Sequence, residues 1–89
     1  MQEKSKRSEQ ARSRATKSAI IDAALVEFAH LGFDGATTRA IATRAEVNPA
    51  LIAHHFGNKD DLWRAVAEHL FGMYAKRIQL RREGLTGVD

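Results

Sequence analysis

Apolar residues recur at helical spacing in four stretches of the chain, separated by short polar or glycine-containing breaks. Ile20, Ile21, Ala24, Leu25 and Phe28 form a stripe of period 3.6, with Asp22 and Glu27 set on the opposite side. The stripe predicts a first helix over about residues 16–31. Gly32 stands where a left-handed C-terminal cap is wanted, and Phe33 beyond it can fold back toward Phe28. Asp34-Gly35 then predicts a turn. A short second helix is expected over 38–45, capped by Thr37, with Ile41, Ala42 and Ala45 on its apolar side. The break Glu46-Val47-Asn48-Pro49 follows. Asn48 can cap, and Pro49 fits the first turn of a third helix, expected over 49–55 and closed by Phe56-Gly57. Asn58, Asp60 and Asp61 open a fourth helix that runs to about residue 80, with Leu62, Val66, Leu70, Met73 and Tyr74 on one face and Trp63 beside it.

The second and third helices are too short to stand alone, because isolated helices below about 12–15 residues are marginal in water. They need a shared core. Ile41, Val47, Ile52 and Phe56, packed on Leu25, Phe28 and Phe33, would supply one. The fold expected is therefore all-α: a small bundle of four helices containing a homeodomain-like helix-turn-helix. Two short helices across a tight turn form the unit that lays its second helix in the DNA major groove. Phe71, Met73, Tyr74 and Ile78 bring more apolar surface than such a unit can bury, so the end of the fourth helix is expected to meet something further.

Length and charge narrow the partners. The chain has 89 residues, room for one domain, and a formal net charge of +3. Residues 1–17 carry Lys4, Lys6, Arg7, Arg12, Arg14 and Lys17 against only Glu3 and Glu9. Residues 1–15 read as a flexible basic arm, with helix near Ala11–Ala15 as the alternative, that either contacts phosphate or the minor groove, or is a solvated tail. Residues 16–80 form the domain, and 81–89 a tail. There is no cysteine, hence neither a disulfide framework nor a thiolate zinc site. No apolar run reaches the roughly 18 residues needed to span a bilayer, and the N-terminus lacks the apolar core of a secretory signal. A soluble cytoplasmic protein that binds double-stranded DNA, without a cofactor and away from membranes, is expected.

From Ile20 to Val66 the chain resembles the DNA-binding domain of the TetR family of bacterial transcriptional regulators. The first helix leads into Gly32-Phe33-Asp34-Gly35-Ala36-Thr37-Thr38; Ile41-Ala42, Ala45 and Val47 follow; His55-Phe56-Gly57-Asn58-Lys59-Asp60-Asp61-Leu62 completes the register. The resemblance implies a homodimeric repressor on a palindromic operator, with dimerisation and a small-molecule inducer belonging to a C-terminal helical domain. The chain stops at Asp89, near where that domain would begin, so a truncated, fragmentary or natural short form is expected. Two residues depart from the family pattern. Glu46 replaces the usual Gly of a left-handed turn, and Ala53 replaces an aromatic residue that commonly helps contact DNA.

Within this frame the DNA-binding candidates are Thr37, Thr38, Arg39, Asn48, Pro49, Ala50, Leu51, Ala53, His54, His55 and Lys59. Thr37 and Thr38 present hydroxyls and free N–H groups at a positive helix end, which suits a phosphate. Arg39 can fork onto a phosphate or a guanine edge. Ala50 lets the third helix approach closely, Leu51 and Ala53 can touch thymine methyls, and His54 alone can read a donor or acceptor pattern. The resemblance assigns His55 to gripping the DNA backbone, and Lys59 adds charge at a second phosphate site. Arg44 reads as solvated or as a distant phosphate partner, and Asn58 as a cap. An enzyme is disfavoured, because adjacent His54 and His55 point about 100° apart and no nucleophile–base pair recurs. No metal site is expected. A helical protein-interaction module and a nonspecific nucleic-acid binder are the rival functions.

Overall fold

The computed structural model describes residues 2–88 of the chain, with side chains over residues 8–82. Four helices follow one another: α1 (Gln2–Gly35), α2 (Thr38–Ala45), α3 (Pro49–His55) and α4 (Lys59–Val88), with no strand among the described residues. The fold is the expected all-α unit, and α2 with α3 forms the helix-turn-helix.

Each helix sends one large side chain into complete burial: Ile20 from α1, Ile41 from α2, Ile52 from α3 and Leu62 from α4. Ile21, Ala24, Phe28, Ala42 and Val66 extend this cluster. Leu25, Phe33, Val47 and Phe56, expected in the core, pack half-buried at its margin. Aromatic rings close one side. Phe28 and Phe33 stack with centroids 6.2 Å apart, and Trp63 meets both edge-on at 4.9 and 5.7 Å.

Side chains define the helix starts. Thr37 Oγ1 accepts from the Ala40 N–H at 3.0 Å, and Asn48 Oδ1 accepts from the Ala50 N–H at 2.9 Å. At α4 the cap is reciprocal. Asn58 Oδ1 accepts from the Asp61 N–H at 2.8 Å, while Asp61 Oδ2 accepts from the Asn58 N–H at 3.1 Å.

Four features differ from the expectation. α1 begins at Gln2 rather than near residue 16, so the helix runs through the stretch read as an arm. That stretch holds no Gly or Pro and is rich in Glu, Gln, Lys, Arg and Ala, and growth from an already docked helix avoids the nucleation cost. α4 likewise continues past residue 80 to Val88, through what was expected as a tail. Residues 1 and 89 lie outside the described residues. Glu27, expected on the polar side, is only 9% exposed and pairs with Arg44, whose Nε lies 3.4 Å from Oε1. Glu27 comes two helical turns after Ile20 and so shares its face.

The fourth concerns Gly32. Its φ of 73° is positive but its ψ is 176°, a region open to glycine and not the left-handed cap. The chain makes one more turn there, closed by the Ala36 N–H donating to the Gly32 carbonyl at 3.1 Å. The Schellman arrangement instead ends α2. Glu46 sits at φ 60°, ψ 43°; its N–H donates to the Thr43 carbonyl at 3.2 Å, and the Val47 N–H donates to the Ala42 carbonyl at 3.0 Å.

Besides Gly32, positive φ occurs at Glu46 and at Gly57, where φ is 109°. The two positions should respond oppositely to exchange. Glu46→Gly relieves left-handed strain and should raise stability by about 0.5–1 kcal/mol after the entropy of the freer unfolded chain is subtracted. Gly57→Ala imposes strain of about 1–3 kcal/mol and drives its Cβ into the Asp61 carboxylate that caps α4. Urea unfolding of both variants checks this; a gain at Gly57 or a loss at Glu46 would contradict it.

Candidate nucleic-acid interface

The N-terminal ends of α2, α3 and α4 open onto one shallow cleft of about 390 Å³. Thr37 and Thr38 line it from α2, Pro49 and Ala53 from α3, and Asn58 and Lys59 at the start of α4. The starts of α2 and α4 carry partial positive charge on N–H groups left over by their caps and, with Lys59, favour an anion. By contrast, α3 begins at Pro49, which has no N–H, and spends its Ala50 and Leu51 N–H groups on Asn48. The Thr37 oxygen is engaged as a cap, yet its hydroxyl proton remains available to donate outward. Thr38 is half-buried beside it. Lys59 adds a full charge. Its Nζ donates to the Ala36 carbonyl at 3.0 Å and lies 4.5 Å from the centroid of the Phe33 ring.

The orientation of α3 follows from a single anchor. Ile52 is 1% exposed, which turns the opposite side of the helix outward. Ala50 and His54, one turn apart, occupy that outward side and are exposed. Pro49 and Ala53 occupy the flank that lines the cleft, and both are exposed. Leu51 and His55 fall on the other flank and are half-buried. Arg39 is exposed one residue into α2 from Thr38, and its own carbonyl accepts from Thr43 Oγ1 at 3.0 Å. Asn48 is exposed, with its side-chain oxygen spent on capping.

The structure thus brings Thr37, Thr38, Pro49, Ala53 and Lys59 to one cleft, places Ala50 and His54 on the neighbouring outward ridge, and sets Leu51 and His55 apart on the far flank. Arg44, expected to be solvated or near phosphate, is held by Glu27. Two participants were not singled out from the sequence. Asn58, read only as a cap, also lines the cleft, and Lys17 of α1 contributes positive charge near His55. Lys17 lies 38 positions before His55 in the chain, so no local spacing signals the approach. Among the described residues no group of three or more His, Cys, Asp or Glu side chains could hold a metal ion, and no helix is long and apolar enough to cross a membrane.

Comparison with known proteins identifies the family and the fold. The family profile described as "Bacterial regulatory proteins, tetR family" matches residues 20–66. A transcriptional repressor of the helix-turn-helix type from Streptomyces coelicolor, SCO4008, is 44% identical over 54 residues, covering 61% of this chain and 28% of the relative. The probable regulator YttP of Bacillus subtilis is 34% identical over 72 residues, covering 81% of this chain and 35% of the relative. The regulator BetI of Paraburkholderia phymatum is 35% identical over 51 residues, covering 57% and 26%. The chain thus spans about a quarter to a third of the length of these relatives. Among solved structures, a HlyIIR mutant superimposes with a TM-score of 0.60 at 31% identity, covering 61% of this chain and 30% of that one.

His55 supplies a test of the flank. Its imidazole is held below the ordinary value of 6.5 by partial burial first, then by the charges of His54 and Lys17. The unfolded chain takes up this proton near 6.5, whereas the folded chain takes it up only at lower pH. Between those values the unfolded state binds more protons, so stability is present above 6.5 and is lost as pH falls through the folded value. Urea unfolding at about pH 7.5 and about pH 5.5 should show a steeper acid loss in the wild type than in His55→Gln. Identical losses would contradict the assigned environment.

Proposed function

The chain belongs to the tetR family of bacterial regulatory proteins and comprises its DNA-binding region, and on that premise we propose that it is the reading head of a repressor acting as a homodimer on a palindromic operator. The observation that supports this reading best is the outward Ala50–His54 ridge of α3, flanked by a cleft onto which three helix N-termini open. In the major groove the ridge meets base edges while the cleft takes a backbone phosphate.

Each residue then has a chemical role. Ala50 and Ala53 permit close approach and contact thymine methyls, and His54 is the one polar reader on the ridge. Arg39 forks onto a guanine edge or a phosphate. Thr37, Thr38 and Lys59 hold a phosphate, with Pro49 and Asn48 shaping the entry of α3. Leu51 and His55 lie toward the second strand, where His55 meets the backbone beside Lys17. With so little polar readout on α3, DNA shape supplies much of the discrimination. Two such helices about 34–36 Å apart would span one turn of DNA, and this pairing supplies most of the affinity. On this reading, dimerisation and binding of a small-molecule inducer would fall to a part outside the matched segment. The exposed Phe71, Met73 and Tyr74 of α4, 77%, 57% and 66% accessible, supply apolar surface for that packing.

Selection of bound duplexes from a random library at about 150 mM salt, where phosphate contacts alone are weakened, tests the proposal. The wild type should enrich a half-site or palindrome, and Arg39→Ala with His54→Ala should not. Equal, unenriched recovery by both would mean that basic charge alone binds nucleic acid.

A further inference from the structure

We infer that Phe33 is a positioning residue for DNA binding: its ring, itself held by Phe28 and Trp63, fixes the Lys59 ammonium at the cleft where α2, α3 and α4 begin. The inference rests on the phosphate role proposed above for Lys59.

A lysine in the first turn of a helix faces the positive end of that helix and has four rotatable bonds with which to avoid it. Lys59 does not swing away into solvent. Its Nζ reaches across to the link between α1 and α2, where it donates to the Ala36 carbonyl at 3.0 Å and rests 4.5 Å from the Phe33 centroid. Both partners oppose the helix end electrostatically, the carbonyl through its oxygen and the ring through its negative face. They also restrain the side chain while leaving at least one of its three N–H donors unspent.

The ring is a fixed surface. Phe33 stacks on Phe28 at 6.2 Å and 14°, and Trp63 abuts it edge-on at 5.7 Å and 80°. Trp63 in turn meets Phe28 at 4.9 Å and 86°, so the three rings brace one another. The turn at Gly32 delivers Phe33 to this place, and Ala36, whose carbonyl accepts the hydrogen bond from Lys59, is fully buried three residues later. The segment that ends α1 therefore supplies both partners of a cation belonging to α4. A restrained ammonium loses less conformational freedom on meeting a phosphate than a free one.

The test is a double-mutant cycle on the full chain with the duplex enriched in the random-library selection, read alongside the NMR shift of the Lys59 ε-methylene. In the free wild type that methylene should resonate upfield of the corresponding groups of the other lysines, through the ring current of Phe33. Phe33→Leu, which keeps apolar volume, should remove the upfield shift and weaken DNA binding about three- to tenfold, the cost of ordering one long side chain. Phe33→Tyr keeps the ring face and should restore both. In a Lys59→Gln background Phe33→Leu should have no further effect on affinity, while Lys59→Gln alone lowers the log–log salt slope by about 0.9. Equal weakening by Phe33→Leu in both backgrounds, or a Lys59 methylene without the upfield shift in the wild type, would overturn the inference. Unchanged affinity and slope in Lys59→Gln would overturn the phosphate role of Lys59, and the inference with it.

Discussion

A helix of seven residues cannot hold itself together in water, and α3, the element that faces outward, is seven residues long. Its place in the molecule depends on Ile52, its one buried side chain, which enters a cluster shared with Ile20, Ile41 and Leu62. Burial of one such side chain contributes about 1.5–3 kcal/mol, and the half-buried Val47 and Phe56 at either end of the helix add to the docking. Asn48 and Pro49 satisfy the start, and the Phe56 and Gly57 N–H groups satisfy the end by both donating to the Ile52 carbonyl, at 2.8 and 3.2 Å. With a single anchor, the direction of every other side chain on α3 is determined. Ala50 and His54 must point away from the core because Ile52 points into it.

Electrostatics follow from the same packing. Bringing α2, α3 and α4 together around four aliphatic side chains also brings their N-terminal ends to one cleft. The N–H groups that the caps of α2 and α4 leave over would be costly if buried, but at an open surface they can meet water or an anion. Asp61 is committed to the Asn58 cap, and Glu27 lies at the α1–α2 contact with Arg44. The aromatic group of Phe28, Phe33 and Trp63 then couples α1 to the beginning of α4 and touches the cation of the cleft.

The helix-turn-helix was legible because its punctuation is local. Thr37, Asn48-Pro49, Gly57 and Asn58 each act within a few residues of where they stand, and the bounds expected for α2 and α3 agree with the structure. The length of α1 was not legible from periodicity, since residues 8–15 are nearly all exposed; helix propensity was the available signal. Glu27 was misplaced because its charge was weighed above its spacing from Ile20. Its partner Arg44 lies 17 positions away, beyond any local pattern. The contact of Lys59 with Phe33 and Ala36 is likewise tertiary, spanning 23 positions to Ala36. Among the candidate residues the sequence indicated which types could meet DNA. Which of them share a face depended on the single anchor of α3.

The central claim is that the Ala50–His54 ridge and the adjoining cleft together form the surface that meets DNA. Backbone amide shifts recorded while a duplex is titrated into the chain test it most directly. The account predicts that the amides moving most are those of Thr37, Thr38, Arg39, Ala50, Ala53, His54 and Lys59, with those around Ile20 and Val66 unmoved. Shifts confined to the first turns of α1, or to the stretch from Phe71 to Ile78 on α4, would contradict it.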